Sequence, residues 1–83
     1  MTARSANEWR EFWRTRGERE LAGLLDEYEP CARRVATLLG SRAPRAALVA
    51  ELARIRAHEL GLVADASRDT EVAERVLAWF DVA

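Results

Sequence analysis

The hydrophobic residues near the start of the chain recur at the spacing of an α-helix. Trp9, Phe12 and Trp13 stand at positions i, i+3 and i+4, so they share one helical face. Just before them, Ser5 and Glu8 have the residue types and the separation of a capping box. This pattern predicts a helix that begins directly after Ser5 and carries an aromatic face.

Apolar residues continue at helical spacing beyond Gly17, which interrupts the first helical pattern. The N-terminal helical segment is predicted to cover residues 6–28. Because a glycine either ends a helix or is tolerated within one, the spacing leaves open whether this segment is one bent helix or two. The apolar positions in its second half are Leu21, Leu24, Leu25 and Tyr28.

Proline and glycine mark the ends of the later helices. Pro30 and Pro44 each suit the first turn of a helix, where the missing N–H costs no hydrogen bond. Gly40 and Gly61 follow apolar helical runs, and we expect Gly40 to stand just past its helix as the C′ residue and Gly61 to stop the next. The candidate N-caps of the last helix are Asp65 and Ser67.

These elements predict an all-α fold, a compact bundle of four or five short helices joined by short connections. Residues 1–83 are too few for two hydrophobic cores, so we expect a single helical domain. No alternation of apolar and polar residues indicates a strand. The residues expected to be buried together are Leu38, Leu48, Leu52, Ile55, Val76 and Phe80.

The charges of the chain balance almost completely. Thirteen basic residues, all of them Arg, stand against fourteen acidic residues, which gives a net charge of -1 at pH 7. This balance argues against nucleic acid as a partner, and no apolar run reaches the roughly 20 residues that a membrane span needs. We expect no nucleic-acid partner and no membrane partner. A polar N-terminus without an apolar signal-peptide region favours a cytoplasmic protein.

Only two residues, His58 and Cys31, suggest site chemistry. No His, Cys or carboxylate stands three or four residues from His58, so a metal ion would lack local ligands. His58 lies in the last helical turn before Gly61, where a cation interacts well with the helix end. Cys31 lies near a helix start, where the helix dipole lowers a thiol pKa, but a small half-buried residue is the simpler interpretation. We expect no metal site, no cofactor and no catalytic residue, so the protein is predicted not to be an enzyme.

The aromatic face of the first helix is the one feature that suggests a function. Trp9, Phe12 and Trp13 either pack in the core or dock on another chain, and Trp and Arg dominate interface hot spots. Each such ring occupies about 150–250 Å² of buried surface, more than a chain this short absorbs easily. We therefore predict that these three residues bind a protein partner or form a homodimer through the N-terminal helix.

Five segments of the chain carry a resemblance to a known family. They are "DEYEP", "VATLLGSRAP", "LVAELARI", "ELGL" and "RDTEVAERVLAW". On these segments residues 26–80, and above all the helices from 30 to 80, resemble the YugE-like family of short all-helical bacterial proteins, a domain of unknown function. The resemblance implies an all-helical fold and a bacterial source, but no activity. Two departures are the missing Trp-Asp-Pro segment upstream, and Arg56 and His58 at positions where the family tends to carry acidic residues.

Three classes of function follow from these observations. The favoured class is a small helical protein–protein interaction module, such as an adaptor, an immunity-type protein or a regulatory partner. The second class is a DNA-binding regulator of the helix-turn-helix type, against which the missing basic recognition helix argues. The third class is a small enzyme with no recognisable motif.

Overall fold

A computed structural model describes residues 5–82, and of Ala6 only the backbone. The described residues form helices and loops without any strand, so the all-α prediction is confirmed. The helical residues lie in three continuous stretches, 6–40, 45–59 and 66–82. The predicted count of four or five helices is therefore wrong. At two of the expected breaks the chain stays helical, in turns whose pitch differs from that of an α-helix.

The first stretch contains three α-helices joined by two such turns, and the second stretch ends in another. The first stretch consists of α1 (Ala6–Phe12), a π-helical turn (Trp13–Gly17), α2 (Glu18–Leu25), a 3-10 turn (Asp26–Cys31) and α3 (Ala32–Gly40). The second stretch consists of α4 (Arg45–Arg54) and a second π-helical turn (Ile55–Glu59). The third stretch is α5 (Ala66–Val82). Helix α5 packs mainly on α4 and also on α2, while α2 and α3 fold against each other.

Helix α1 begins directly after Ser5, as the sequence predicts. The Oγ of Ser5 accepts a hydrogen bond from the Glu8 amide at 3.1 Å, and the Glu8 carboxylate accepts one from the Ser5 amide at 2.8 Å. The capping box is therefore confirmed. Gly17 does not divide the helix, because it lies buried in the π-helical turn under the ring of Phe12. A Cβ there would stand 3.0 Å from that ring, so a larger residue would force the ring to shift.

The helix ends agree with the sequence at one glycine and differ at the other. Gly61 has a φ of 65° and stops the second stretch as expected. Gly40 is instead the last residue of α3, and the left-handed residue is Arg42, with a φ of 59°. The amide of Ala43 donates to the Leu38 carbonyl at 3.0 Å, which completes the helix-ending motif around Arg42. The prediction for Gly40 as the C′ residue is wrong.

The core lies where α2, α3, α4 and α5 meet. Of the six residues expected to be buried together, four are fully enclosed, whereas Leu38 and Phe80 pack against the core from its edge. Asp65 caps α5, since its Oδ1 accepts from the Arg68 amide at 3.0 Å. The fully buried aliphatic side chains are Leu21, Leu25, Val35, Leu48, Leu52, Ile55, Val72 and Val76.

Candidate functional site

Five aromatic rings from α1, the turn after it and the end of α5 form one group, here called the aromatic cluster. Trp9 is at its centre, with its ring centroid 4.8 Å from that of Phe80 and 5.7 Å from that of Phe12. The rings of Trp79 and Trp13 follow at 6.1 and 6.3 Å. These separations are typical of favourable aromatic pairs, so the cluster holds α1 against the end of α5.

The structure separates the three predicted partner-binding residues. Phe12 is 6% exposed, because Gly17 lies against one part of its ring and the Arg16 guanidinium lies 5.2 Å from its centroid. Trp9 and Trp13 are only half-buried. Phe12 therefore supports the surface from below, and the two tryptophans are the members that solvent reaches.

A groove runs between α1 and α3 where these two indoles are exposed. It has a volume of about 310 Å³, and we call it the α1–α3 groove. Gly40 allows α3 to come close, because a Cβ there would stand 3.0 Å from Nε1 of Trp9. The groove is lined by Trp9, Arg10, Trp13, Arg33, Ala36, Thr37 and Gly40.

The arginines along the groove differ from most of the others in the chain. Within residues 5–82, Arg10, Arg19 and Arg33 make no ion pair, and two of these three line the groove. No acidic residue lines it. Among the arginines that do pair with a carboxylate in the described part of the chain are Arg14, Arg16, Arg34, Arg45, Arg54, Arg56, Arg68 and Arg75.

A buried polar network that was not predicted from the sequence joins the 3-10 turn, the second π-helical turn and α5. Nε of Arg56 donates to Oδ1 of Asp69 at 3.0 Å, and its Nη2 donates to the Tyr28 hydroxyl at 2.7 Å. The Tyr28 hydroxyl in turn donates to Asp69. Burial, together with the hydrogen bond to Asp69, raises the pKa of Tyr28 to about 12. One signal was present, because Arg56 follows Leu52 by four residues and so shares its core-facing side.

The network continues to the surface through two carboxylates at the start of the 3-10 turn. Glu27 accepts from Arg56 at 2.9 Å and from Nη2 of Arg68 at 3.0 Å, and the hydrogen bonds from Arg68 contribute most to lowering the pKa of Glu27 to about 2. Asp26 has a φ of 50° and accepts from Arg68 and Arg75 at 2.8 and 3.2 Å. Every buried side-chain nitrogen and oxygen in the described part of the chain has a hydrogen-bond partner. The network is therefore suited to holding the bend after α2 in place.

Cys31 and His58, the two residues that suggest site chemistry, have different environments. Cys31 is buried, with its Sγ 3.8 Å from Oε2 of Glu59. Burial first, and then the negative charge of Glu59, raises the pKa of the Cys31 thiol, opposite to the effect expected from its helix-start position. His58 is exposed in the π-helical turn before Gly61, as the sequence predicts, and donates or accepts no hydrogen bond within residues 5–82.

Over the described range, no group of three or more His, Cys, Asp or Glu side chains is arranged to hold a metal ion. None of the helices in residues 5–82 combines the length and the apolar character needed to cross a membrane. Comparison with models of protein families, with curated proteins and with solved structures finds no match to this chain. The resemblance to the YugE-like family therefore stays a prediction.

Proposed function

We propose that this protein is a non-catalytic protein–protein interaction module that docks a partner along the α1–α3 groove. The observation that carries the proposal is the presentation of Trp9 and Trp13. Both indoles are half-buried and expose apolar surface, and Trp9 is held in place by four neighbouring rings, one of which is that of Trp13. Rigid aromatic anchors lose little conformational entropy on binding, which is why they dominate interface hot spots.

The distribution of charge favours a protein over a nucleic acid. Most described arginines are neutralised by carboxylates of the same chain, for example Arg68 by Asp26 and Glu27. A surface that binds the phosphate backbone needs a run of uncompensated cations instead. The net charge of -1 is consistent with the same preference.

The buried polar network supports a structural role over a catalytic one. Tyr28 and Asp69 are almost completely enclosed, and their polar atoms are already bonded to Arg56. A general acid or base must reach the proton that it transfers within hydrogen-bond distance. The interaction module is thus the function that the geometry supports best, with an adaptor, an immunity-type protein and a regulatory partner as its possible forms.

Site-directed photo-crosslinking in the source cells tests this proposal. A photoreactive phenylalanine replaces Thr37, which is exposed on the groove, and in a matched control it replaces Ser67, which is exposed at the start of α5. We expect a discrete product from position 37 and none of the same mass from position 67. Identical products from both positions, or none from position 37, would contradict a docking surface at the groove.

A further inference from the structure

We infer that the α1–α3 groove takes an acidic segment of a different protein, in which a large apolar side chain is flanked by carboxylates. The inference rests on the proposed function and adds to it the chemistry of the partner. It follows from three features of the groove: its apolar floor, its two arginines without an ion-pair partner in the described part of the chain, and its size.

The residues at the bottom of the groove favour the binding of an apolar side chain of the partner. Trp9 and Trp13 contribute indole surface, Ala36 contributes only a methyl group, and Gly40 leaves the backbone of α3 bare. The volume of about 310 Å³ stands at the lower limit of the roughly 300–1,000 Å³ of small-molecule pockets. This space accommodates one or two apolar side chains of a docking segment, and burial of such side chains provides the favourable free energy.

The walls of the groove select carboxylates beside that side chain. Arg10 stands on α1 and Arg33 on α3, so both walls carry a positive charge. Neither guanidinium has an ion-pair partner among residues 5–82, and no acidic residue lines the groove. Carboxylates of a partner would complete these pairs, and complementary charge fixes register and excludes basic competitors.

A second copy of this chain is a poorer occupant. Among residues 5–82, its most exposed large apolar side chains are those of Val63 and Val82, with Leu62 next at 44% exposed. The acidic residue that follows the Leu62–Val63 pair is Asp65, and its carboxylate already caps α5. Glu59, the carboxylate on the other side of that pair, is engaged by Arg34, and Val82 has a single carboxylate beside it, Asp81. Neither segment supplies two free negative charges next to its apolar side chain, so we expect the protein to remain monomeric.

Two synthetic peptides probe the inference directly. Both are helix-forming, lack tryptophan and carry leucines at positions i and i+4, and they differ only in having Glu or Lys beside these leucines. The ¹⁵N-labelled protein has three indole N–H signals, from Trp9, Trp13 and Trp79. We expect the Glu peptide to move the signals of Trp9 and Trp13, with Trp79 moving least because its Nε1 already donates to Glu20 at 2.9 Å.

Charge reversal provides the matched comparison. Because exposed ion pairs contribute only modestly to a binding free energy, we expect the Glu peptide to bind about fivefold more tightly than the Lys peptide. Arg33→Glu is expected to abolish or reverse that preference. Arg19→Glu makes the same change of charge at another arginine without an ion pair, away from the groove, and is expected to preserve it. Thermal unfolding of both variants verifies that they fold.

The outcomes separate the inference from the proposed function. Equal binding of the two peptides at Trp9 and Trp13 would overturn the acidic preference and leave the docking surface intact. Binding of neither peptide would overturn both the inference and the groove as a docking surface. Sedimentation velocity at increasing protein concentration completes the test. A dimer that dissociates in the Thr37→Trp variant would show that a second copy occupies the groove, and this result would overturn the inference.

Discussion

A methyl group placed on Gly40 would stand 3.0 Å from Nε1 of Trp9, so the end of α3 and the centre of the aromatic cluster meet without space between them. This relationship explains a glycine at a position that needs no positive φ, since the left-handed residue of that turn is Arg42. It also keeps the Trp9 indole directly against α3 at the groove, because a side chain at position 40 would force that indole to shift.

Gly40→Ala is therefore expected to lower the free energy of unfolding by about 1 kcal/mol. Overpacking against Trp9 costs about 1–3 kcal/mol, and the better helix propensity of Ala offsets up to about 1 kcal/mol. Gly23→Ala is the matched control, because a Cβ there meets nothing within 4 Å, and it should stabilise by about 0.5–1 kcal/mol. Urea unfolding checks both values, and equal stabilisation by the two substitutions would contradict the close approach.

Leu52→Ala is expected to cost about 2–5 kcal/mol, since the side chain is completely buried in the core and the change leaves a cavity. Val63→Ala removes methyl groups from a side chain that is 87% exposed, and its effect should stay within about 0.5 kcal/mol. Chemical denaturation measures both. A loss below about 1 kcal/mol at position 52 would place that residue outside the core.

Arg56→Met is expected to destabilise the protein by about 3–5 kcal/mol, because it leaves the buried carboxylate of Asp69 without its cation. The double variant Arg56→Met, Asp69→Leu should recover much of that loss, since both charges are then absent. Arg45→Met breaks an exposed pair with Glu74 at 2.9 Å and should cost at most about 1 kcal/mol. Equal effects of Arg56→Met and Arg45→Met in urea unfolding would argue against the buried network.

The pKa of Glu27 predicts a specific loss of stability in acid. Hydrogen bonds, chiefly from Arg68, lower the pKa of this carboxyl from 4.5 to about 2 in the folded protein. A folded-state pKa below the unfolded one means that Glu27 stabilises the fold above pH 4.5 and that its contribution disappears as the pH falls toward 2.

Glu27→Gln should therefore destabilise the protein at pH 7, and the difference from the unmodified chain should shrink as the pH is lowered from 5 toward 2. Unfolding in urea at several pH values measures this. Glu18→Gln, at an exposed glutamate with no ion pair among the described residues, is the matched control for the loss of one negative charge. A difference that is the same at every pH would exclude Glu27 as the titrating group.

Cys31 should react slowly with thiol reagents in the folded protein. Burial and the charge of Glu59 raise its pKa, and the thiolate is the reactive form. Reaction with a chromogenic disulfide should accelerate strongly in urea, and Glu59→Gln should accelerate it modestly in the folded state. Rapid reaction without urea would indicate that the thiol is accessible and contradict its burial.

The sequence by itself determined the features that depend on residues within about one helical turn of each other. The capping box at Ser5 and the stop at Gly61 are local hydrogen-bond or φ requirements, so short patterns predict them. The sequence reduced the cap of α5 to Asp65 or Ser67, and the structure decided for Asp65. The spacing of apolar residues also predicted the all-α fold and the burial of residues such as Leu52 and Val76, because helical periodicity shows which side of a helix is apolar.

Only the tertiary structure decided the contacts between residues far apart in the chain. Tyr28 and Asp69 are separated by 41 positions, and no local pattern indicates that Arg56 bonds to both. Gly40 looks like the stop of its helix in the sequence, yet it is the point where the indole of Trp9 lies against α3. Close packing between helices determines the role of such residues, and it depends on which surfaces meet after folding.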